Sequence, residues 1–220
     1  MIDIALIKSV VPQLIEGSLV TLKIAFFSSV IGFTGGTLLG VAQSGSSRLV
    51  SFMVAAYATI IRGTPMMLQI MFFYLMLPHC GIFLSPLTTA IIAIGINSSA
   101  YISQIVRSGI SSVSQGQIEA AKTLGLSSFV ITRYLVLPQA LRVVIPALGS
   151  EFITLIKDSS LASTIGVLEL YMRGSIIVSQ AFNSLGVYTL VGLMYLAMTS
   201  LISILFLKIE HYYRAPYART

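Results

Sequence analysis

Five long apolar stretches constrain this chain more than any other feature. They cover residues 19–41, 55–77, 87–106, 139–156 and 186–207. A hydrocarbon core about 30 Å thick is crossed by roughly 20 apolar residues in a helix. Lipid admits only helices or closed barrels, and the alternating pattern of barrel strands is absent. The sequence therefore predicts an all-α integral membrane protein with five transmembrane helices in one domain over residues 1–220.

Charge is scarce, and its distribution argues for a lipid bilayer as the main partner. Only 9% of residues are charged and 56% are hydrophobic, against about 25% charged in ordinary soluble domains. The net charge of +6 could suggest nucleic acid, but the basic residues form no patch with interleaved aromatics. We therefore predict no nucleic-acid partner. Cys80 is the single cysteine, so no intrachain disulfide forms.

The basic residues also predict an orientation, because lysine and arginine accumulate in cytoplasmic loops. One set of loops carries eight: Arg48, Arg107, Lys122, Arg133, Arg142, Lys208, Arg214 and Arg219. The other set carries three: Lys8, Lys157 and Arg173. This asymmetry predicts an external N-terminus, a cytoplasmic C-terminus and a cytoplasmic loop over residues 107–138.

An amphipathic segment, EAAKTLGLSSFVITRYLVLP (119–138), lies in that loop. Apolar residues at helical spacing predict a short helix ending near Gly125, where glycine permits a positive φ. A second short helix is expected from Ser127 or Ser128, either of which can cap it, to about Val136. Pro138 then begins the next span in its first turn. Two angled helices with an apolar stripe need a partner surface.

Three groups of residues mark this segment at definite distances from one another along the chain: Glu119-Ala120-Ala121, Gly125 and Leu137-Pro138. In these positions the segment resembles the EAA loop of ABC-importer permeases, with Leu135 where that pattern has isoleucine. The stretches RGTPMMLQI (62–70), NSSAYISQIVRSGI (97–110) and residues 137–163 resemble the polar amino acid branch (histidine, glutamine and arginine types). Gln104 departs from the glutamate common in that branch.

The resemblance implies the fold of a type I ABC importer permease in a bacterial inner (plasma) membrane. It implies a second permease subunit (homodimer or heterodimer), two cytoplasmic ATP-binding subunits and an external substrate-binding protein. The residues that match the motif would couple to the ATPase: Glu119, Ala120, Ala121, Gly125, Leu137 and Pro138. The alternative is an ordinary helix lying on the lipid surface, although such helices prefer a strongly basic face.

No phosphate-binding G-x-x-x-x-G-K-[ST] loop occurs in the sequence. We therefore expect that the chain is not an enzyme, needs no cofactor or metal, and leaves ATP and Mg²⁺ to the partner ATPase.

A charge within a span is costly and marks a candidate functional site. Glu151 lies near the middle of the fourth span, and Thr154 and Asp158 follow on the same helical face. Pro146 is expected to kink this span. We predict that Glu151 binds the ammonium or guanidinium of an amino acid. An ion pair with Lys157 or Arg62, or a protonated core carboxyl, are the alternatives.

Two further polar groups are candidates for the same site. Arg62 precedes Gly63-Thr64-Pro65, where the proline disfavours helix and the second span is expected to break. A restarted helix would offer free N–H groups to a substrate carboxylate; alternatively, Arg62 reaches the interface and the break is a hinge. Asn97 and Tyr101 belong to a polar group in the third span that either lines the cavity or hydrogen-bonds between helices.

Three expectations concern packing. The stripe Gly32, Gly36 and Gly40 is expected to pack against another helix of this subunit. Lys157 and Asp158 are expected to form a structural ion pair. Residues 159–182 are too interrupted to span and are expected to form short helices at the outer face.

The sequence thus indicates an ATP-driven importer permease that moves a polar amino acid into the cytoplasm by alternating access. The acidic face indicates a cationic amino acid, although every amino acid carries an ammonium that would fit. An ion-coupled secondary transporter or channel without an ATPase is the alternative, and it leaves the EAA segment unexplained.

Overall fold

The computed structural model describes residues 4–181 and 184–214. Both chain ends, and with them the predicted placement of the termini, lie outside these residues. The described part consists of helices joined by short turns and loops, without strands, which confirms the all-α prediction. Its α-helices are α1 (Ile4–Gln43), α2 (Arg48–Arg62), α3 (Met66–His79), α4 (Pro86–Ser111), α5 (Gln115–Thr123), α6 (Ser128–Val130), α7 (Leu137–Asp158), α8 (Leu170–Ala181) and α9 (Ser184–Arg214).

The core is built around α4, which packs against α1 along the glycine stripe. A Cβ atom added at Gly36 would lie 2.6 Å from the Cβ of Ile102. One added at Gly40 would lie 2.6 Å from the carbonyl oxygen of Ser103. The absence of side chains on these glycines lets the two backbones approach closely. The predicted packing within the subunit is confirmed.

The second predicted span, 55–77, is not one straight helix. It consists of α2 and α3, which meet at an angle of 100° across Gly63-Thr64-Pro65. Pro65 has extended backbone angles and no N–H to continue α2. Four other described segments are long and apolar enough to cross a membrane, and the bent pair makes a fifth if counted as one. The predicted break in the second span is confirmed.

The fourth predicted span also differs at its start. The backbone is helical from Ser128 onward, through a wide π-helical turn at Ile131–Val136, directly into α7. The amide of Leu137 bonds to the carbonyl of Thr132, five residues back. A wide turn suits the position before Pro138, whose ring crowds the carbonyl four residues back in an α-helix. The helix that begins at Ser128 is therefore continuous with the span, and Pro138 lies in the first turn of α7, as predicted.

Residues 159–181, the described part of the segment 159–182, form two short helical elements, as expected. A 3₁₀ helix at Ser159–Ile165 follows α7 directly, and α8 packs against α1 and α9. The first helix is longer than predicted, because α1 begins at Ile4 and its membrane-length part covers Val10–Gln43.

Candidate substrate and coupling sites

The polar group in α4 connects this helix to three neighbours. The Asn97 side-chain amide donates to Gln69 on α3 (2.9 Å), and the Ser98 hydroxyl donates to Oε1 of Glu151 on α7 (2.8 Å). The Ser99 hydroxyl lies 2.7 Å from the Tyr57 hydroxyl on α2. Asn97 is almost fully buried. These residues therefore make the interhelical hydrogen bonds that were one of their two predicted uses.

Tyr101, one turn further along α4, faces a more open environment. It is 36% exposed, and the Arg62 guanidinium lies over its ring at 5.0 Å from the centroid. Such a contact is a cation–π interaction, which attracts the cation to the ring face. The end of α2 and the middle of α4 are thus joined by two of the predicted site residues.

Glu151 is half-buried on α7 and belongs to the same cluster. Arg62 and Asp158 both interact electrostatically with its carboxylate. Among the described residues no lysine or arginine nitrogen lies within 4.0 Å of that carboxylate. The ion pair with Arg62 or Lys157, which was one alternative for Glu151, therefore does not form.

Asp158 and Thr154 complete the face that was predicted on α7. Asp158 is half-buried, whereas Lys157 next to it is exposed. In the described structure these two make no ion pair within 4.0 Å, so the expected structural pair is wrong. The hydroxyl of Thr154 donates to the Ser150 carbonyl of its own helix at 3.1 Å. The face thus presents two carboxyl groups that form no ion pair within the described part of the chain.

Gln69 is a site residue that the sequence reasoning missed. Its Nε2 donates to the carbonyl of Ile61 (2.7 Å) and to the carbonyl and hydroxyl of Thr64 (3.2 and 2.7 Å). These carbonyls lose helical partners where α2 ends, and an unpaired buried carbonyl is costly. Gln69 therefore stabilises the break, and Asn97 holds Gln69 from the opposite side. Its one sequence signal was a lone polar residue in the apolar run MMLQIMFF.

Glu169 was also missed. It is fully buried at the start of α8, where its carboxylate accepts from the backbone amides of Tyr171 (2.9 Å) and Met172 (2.7 Å). It also accepts from the hydroxyls of Tyr195 on α9 (2.8 Å) and Thr21 on α1 (3.5 Å). One side chain thus caps a helix and joins it to two others.

The predicted coupling residues lie at the far end of α7. The short helix α5 ends in a Schellman motif around Gly125, whose φ is +75°. The amide of Gly125 bonds to the carbonyl of Lys122 (2.9 Å), and that of Leu126 bonds to the carbonyl of Ala121 (3.2 Å). Glycine is the usual residue here because it adopts positive φ without a Cβ penalty. Ser127 then caps the following helix through its hydroxyl.

Around this turn the surface is apolar and uncovered. Leu124, Leu126 and Phe129 are 78%, 44% and 76% exposed. Glu119 and Ala120 are exposed on α5, whereas Ala121 packs inward. Leu137 is partly exposed and Pro138 half-buried at the junction with α7. Exposed apolar clusters of this kind mark interaction surfaces.

Residues 32–214 match the family described as the binding-protein-dependent transport system inner membrane component. The chain belongs to this family. The resemblance found in the EAA segment is thereby confirmed, and this inner membrane component has relatives of nearly its own length.

Among them are two permease proteins that are each 37% identical. The glutamine transport system permease protein of Escherichia coli (strain K12) aligns over 94% of this chain and 96% of its own length. The nopaline transport system permease protein of Agrobacterium fabrum aligns over 94% and 90%.

Solved structures show the same fold. A chain from an amino acid ABC transporter crystallised with histidines superposes with a TM-score of 0.88 at 33% identity, covering 96% of this chain and 99% of that one. A chain of the methionine ABC transporter MetNI, in an inward-facing form, superposes with a TM-score of 0.71 at 23% identity. That second likeness concerns the fold alone. The prediction of a type I ABC importer permease fold is confirmed.

Proposed function

We propose that this chain is the permease subunit of an ATP-driven importer that moves a polar amino acid into the cytoplasm by alternating access. The observation that carries the proposal is a continuous helical segment from Ser128 to Asp158. The exposed docking surface lies at one end of it, and the acidic face with Glu151 lies toward the other. A movement at the docking end therefore displaces the substrate end without an intervening loop.

The charges around Glu151 suit a zwitterion. Glu151 offers a carboxylate for the ammonium of an amino acid, and Arg62 offers a guanidinium for its carboxylate. Both belong to one electrostatic cluster, yet they stay more than 4.0 Å apart. Opposite charges that do not neutralise each other leave both free for a ligand. A second positive charge on a cationic amino acid would find Asp158 on the same face.

Family membership and the exposed surfaces support the following partners. We assign the surface around Gly125 to an ATP-binding subunit, which uses ATP and Mg²⁺, so that a pair of permeases engages two such subunits. The open side of Arg62 and Tyr101 faces a second permease subunit. An external binding protein delivers the amino acid. The N-terminus lies outside and the C-terminus in the cytoplasm. Ligand and nucleotide shift the inward–outward equilibrium only through their preference for one state.

The test is ligand-stimulated ATP hydrolysis by the complex purified from native membranes and reconstituted in liposomes with its binding protein. Glu151→Gln keeps the size of the side chain and an oxygen that can accept from Ser98, but removes the charge. We expect it to abolish stimulation by cationic amino acids while the subunits still co-purify. Ser98→Ala keeps the charge and is the matched control, expected to retain most stimulation.

Two outcomes contradict the proposal. If ATP hydrolysis by the Glu151→Gln complex were still stimulated at an unchanged ligand concentration, Glu151 would not belong to the substrate site. Uptake of amino acid by the reconstituted permease alone, with no ATPase subunit present, would favour the ion-coupled transporter.

A further inference from the structure

Two arginines face one cavity at the ends of the membrane helices. The cavity has a volume of about 370 Å³ and lies beside the turn between α1 and α2. Arg48, at the start of α2, and Arg107, near the end of α4, line it together with three serines. Both arginine side chains are exposed, and no acidic residue is among those lining the cavity. In the described part of the chain, neither arginine forms an ion pair.

Two like charges that share a cavity repel each other, and an anion bound between them offsets this repulsion. Guanidinium groups match the oxygens of a phosphate in a planar, bidentate arrangement, which makes them the preferred side chains for this anion. Ser46 and Ser51 add hydroxyls to the lining. A singly or doubly charged phosphate ester fits this lining better than a neutral polar molecule.

The surroundings of the cavity indicate where such a phosphate comes from. Leu49, Phe52 and Met53 on the outer side of α2 are 69%, 70% and 61% exposed. Phe52 also lines the cavity. An apolar surface therefore continues directly from the two guanidinium groups along a helix of the bent membrane pair. A phospholipid has this combination of a charged head and apolar chains; free phosphate and nucleotides have only the first.

We propose that the cavity of Arg48 and Arg107 binds the phosphate of an anionic phospholipid whose acyl chains lie along α2. With the orientation under Proposed function, on which this inference rests, the lipid belongs to the inner leaflet. The cavity adjoins the last turns of α1 and α4, and α4 leads directly to the coupling segment. The bound lipid therefore joins the ends of three helices next to the point where the ATPase docks.

The experiment measures lipids retained by the purified complex with native mass spectrometry. Mixed micelles contain phosphatidylglycerol or phosphatidylcholine, with inorganic phosphate as a soluble competitor. Arg48→Gln and Arg107→Gln are each expected to weaken retention of phosphatidylglycerol about fivefold, and the double variant more, since each basic residue contributes independently near an anionic lipid. Lys208→Gln is the matched control, because this exposed lysine on α9 lies in the same predicted set of loops and outside the cavity.

Arg48→Lys with Arg107→Lys keeps both charges and shows whether the fold survives changes at these positions. We expect it to retain more lipid than the double glutamine variant and less than the unmodified chain. The proposal would be overturned if Lys208→Gln lost as much phosphatidylglycerol as the arginine variants, or if phosphatidylcholine were retained equally well. Unchanged retention of phosphatidylglycerol in the double glutamine variant would also overturn it. Displacement by inorganic phosphate would assign the cavity to a soluble anion, and lipid excluded whenever the ATPase is bound would assign it to an acidic side chain of that partner.

None of these measurements depends on transport. A failure of the lipid proposal therefore leaves the proposed function standing. Conversely, an importer that does not transport amino acids could still retain the lipid.

Discussion

Glu169 joins three helices through one carboxylate that has no contact with solvent. Burial raises the pKa of this carboxyl above its usual 4.5, although its hydrogen bonds to Tyr171, Met172, Tyr195 and Thr21 favour the ionised form. The folded state therefore binds a proton more readily than the unfolded chain. A stability contribution of this sign is fully present below pH 4.5 and is lost as the pH rises through the higher folded value.

Glu169→Gln removes this titration. We expect the difference in Tm between the variant and the unmodified complex, variant minus unmodified, to increase as the pH is raised from 4.5 toward neutrality. Near pH 4.5 the Tm of the variant is expected to be lower than that of the unmodified complex, because glutamine cannot accept all four hydrogen bonds. Thermal unfolding of the detergent-solubilised complex across this range measures both quantities.

Glu119→Gln is the control, measured on the permease separated from its ATPase, where this carboxylate is exposed. A Tm difference for Glu169→Gln that stays constant or falls with rising pH would contradict the assigned sign.

At the residue scale, the sequence predicted which side chains are unusual but not what they contact. Glu151, Arg62 and Tyr101 stood out as polar groups in apolar stretches, and the structure places them in one cluster. Gln69 and Glu169 carry the same signal but depend on partners 28 and 26 residues away, at Asn97 and Tyr195. Spacing along one helix cannot show such pairs, because they arise from packing between helices.

At the element scale, Gly125 ends α5 with a positive φ, and a Cβ added there would meet nothing within 4 Å. Replacement therefore tests backbone conformation separately from crowding within the subunit. Gly125→Val places a β-branched residue in a left-handed conformation, at a cost of about 1–2 kcal/mol. We expect roughly tenfold weaker association with the ATPase subunit, measured by co-purification under dilution.

Gly125→Asn is the matched variant, because asparagine tolerates the left-handed region. It adds a side chain at the same exposed position and is expected to associate more strongly than Gly125→Val. Equal loss in both variants would indicate that the docking surface excludes any side chain there. Normal association of Gly125→Val would remove the motif from the coupling site.

The positions of the two prolines were predictable, but the backbone geometry around them was not. Pro65 was expected to break the second span, and it does, at an angle of 100°. Pro138 was expected in the first turn of a helix, and it lies in the first turn of α7, although a π-helical turn already precedes it. The two prolines have the same intrinsic constraint. Their different outcomes depend on Gln69 and the glycine at position 63 in one case, and on a widened turn in the other.

At the scale of the whole molecule, α4 is the centre and α9 the periphery. In the most apolar part of α4, 67% of residues are buried, against 6% in α9. Membrane length and the order of apolar stretches were predictable because lipid restricts the backbone to helices. Which spans are buried within the protein was not predictable, since each stretch is apolar enough to face either lipid or protein.

Cys80 offers a direct test of orientation, because it is the only cysteine in the sequence and is exposed at the end of α3. A membrane-impermeant maleimide is expected to label it from outside intact cells or spheroplasts. Cys80→Ser with Ser127→Cys moves the thiol to the coupling segment, where labelling is expected only after the membrane is opened. The reverse pattern would place the coupling segment outside and exclude a cytoplasmic ATPase as its partner.

The bent pair α2–α3 has a consequence for how the chain enters the bilayer during synthesis. With 15 and 14 residues, the two helices are about 22 and 21 Å long, and neither alone crosses a 30 Å hydrocarbon layer. In addition, the hydrogen bond between Gln69 and Asn97 can form only after the ribosome has added Asn97, 28 residues later. We therefore expect the pair to reach its final depth only after α4 has been translated.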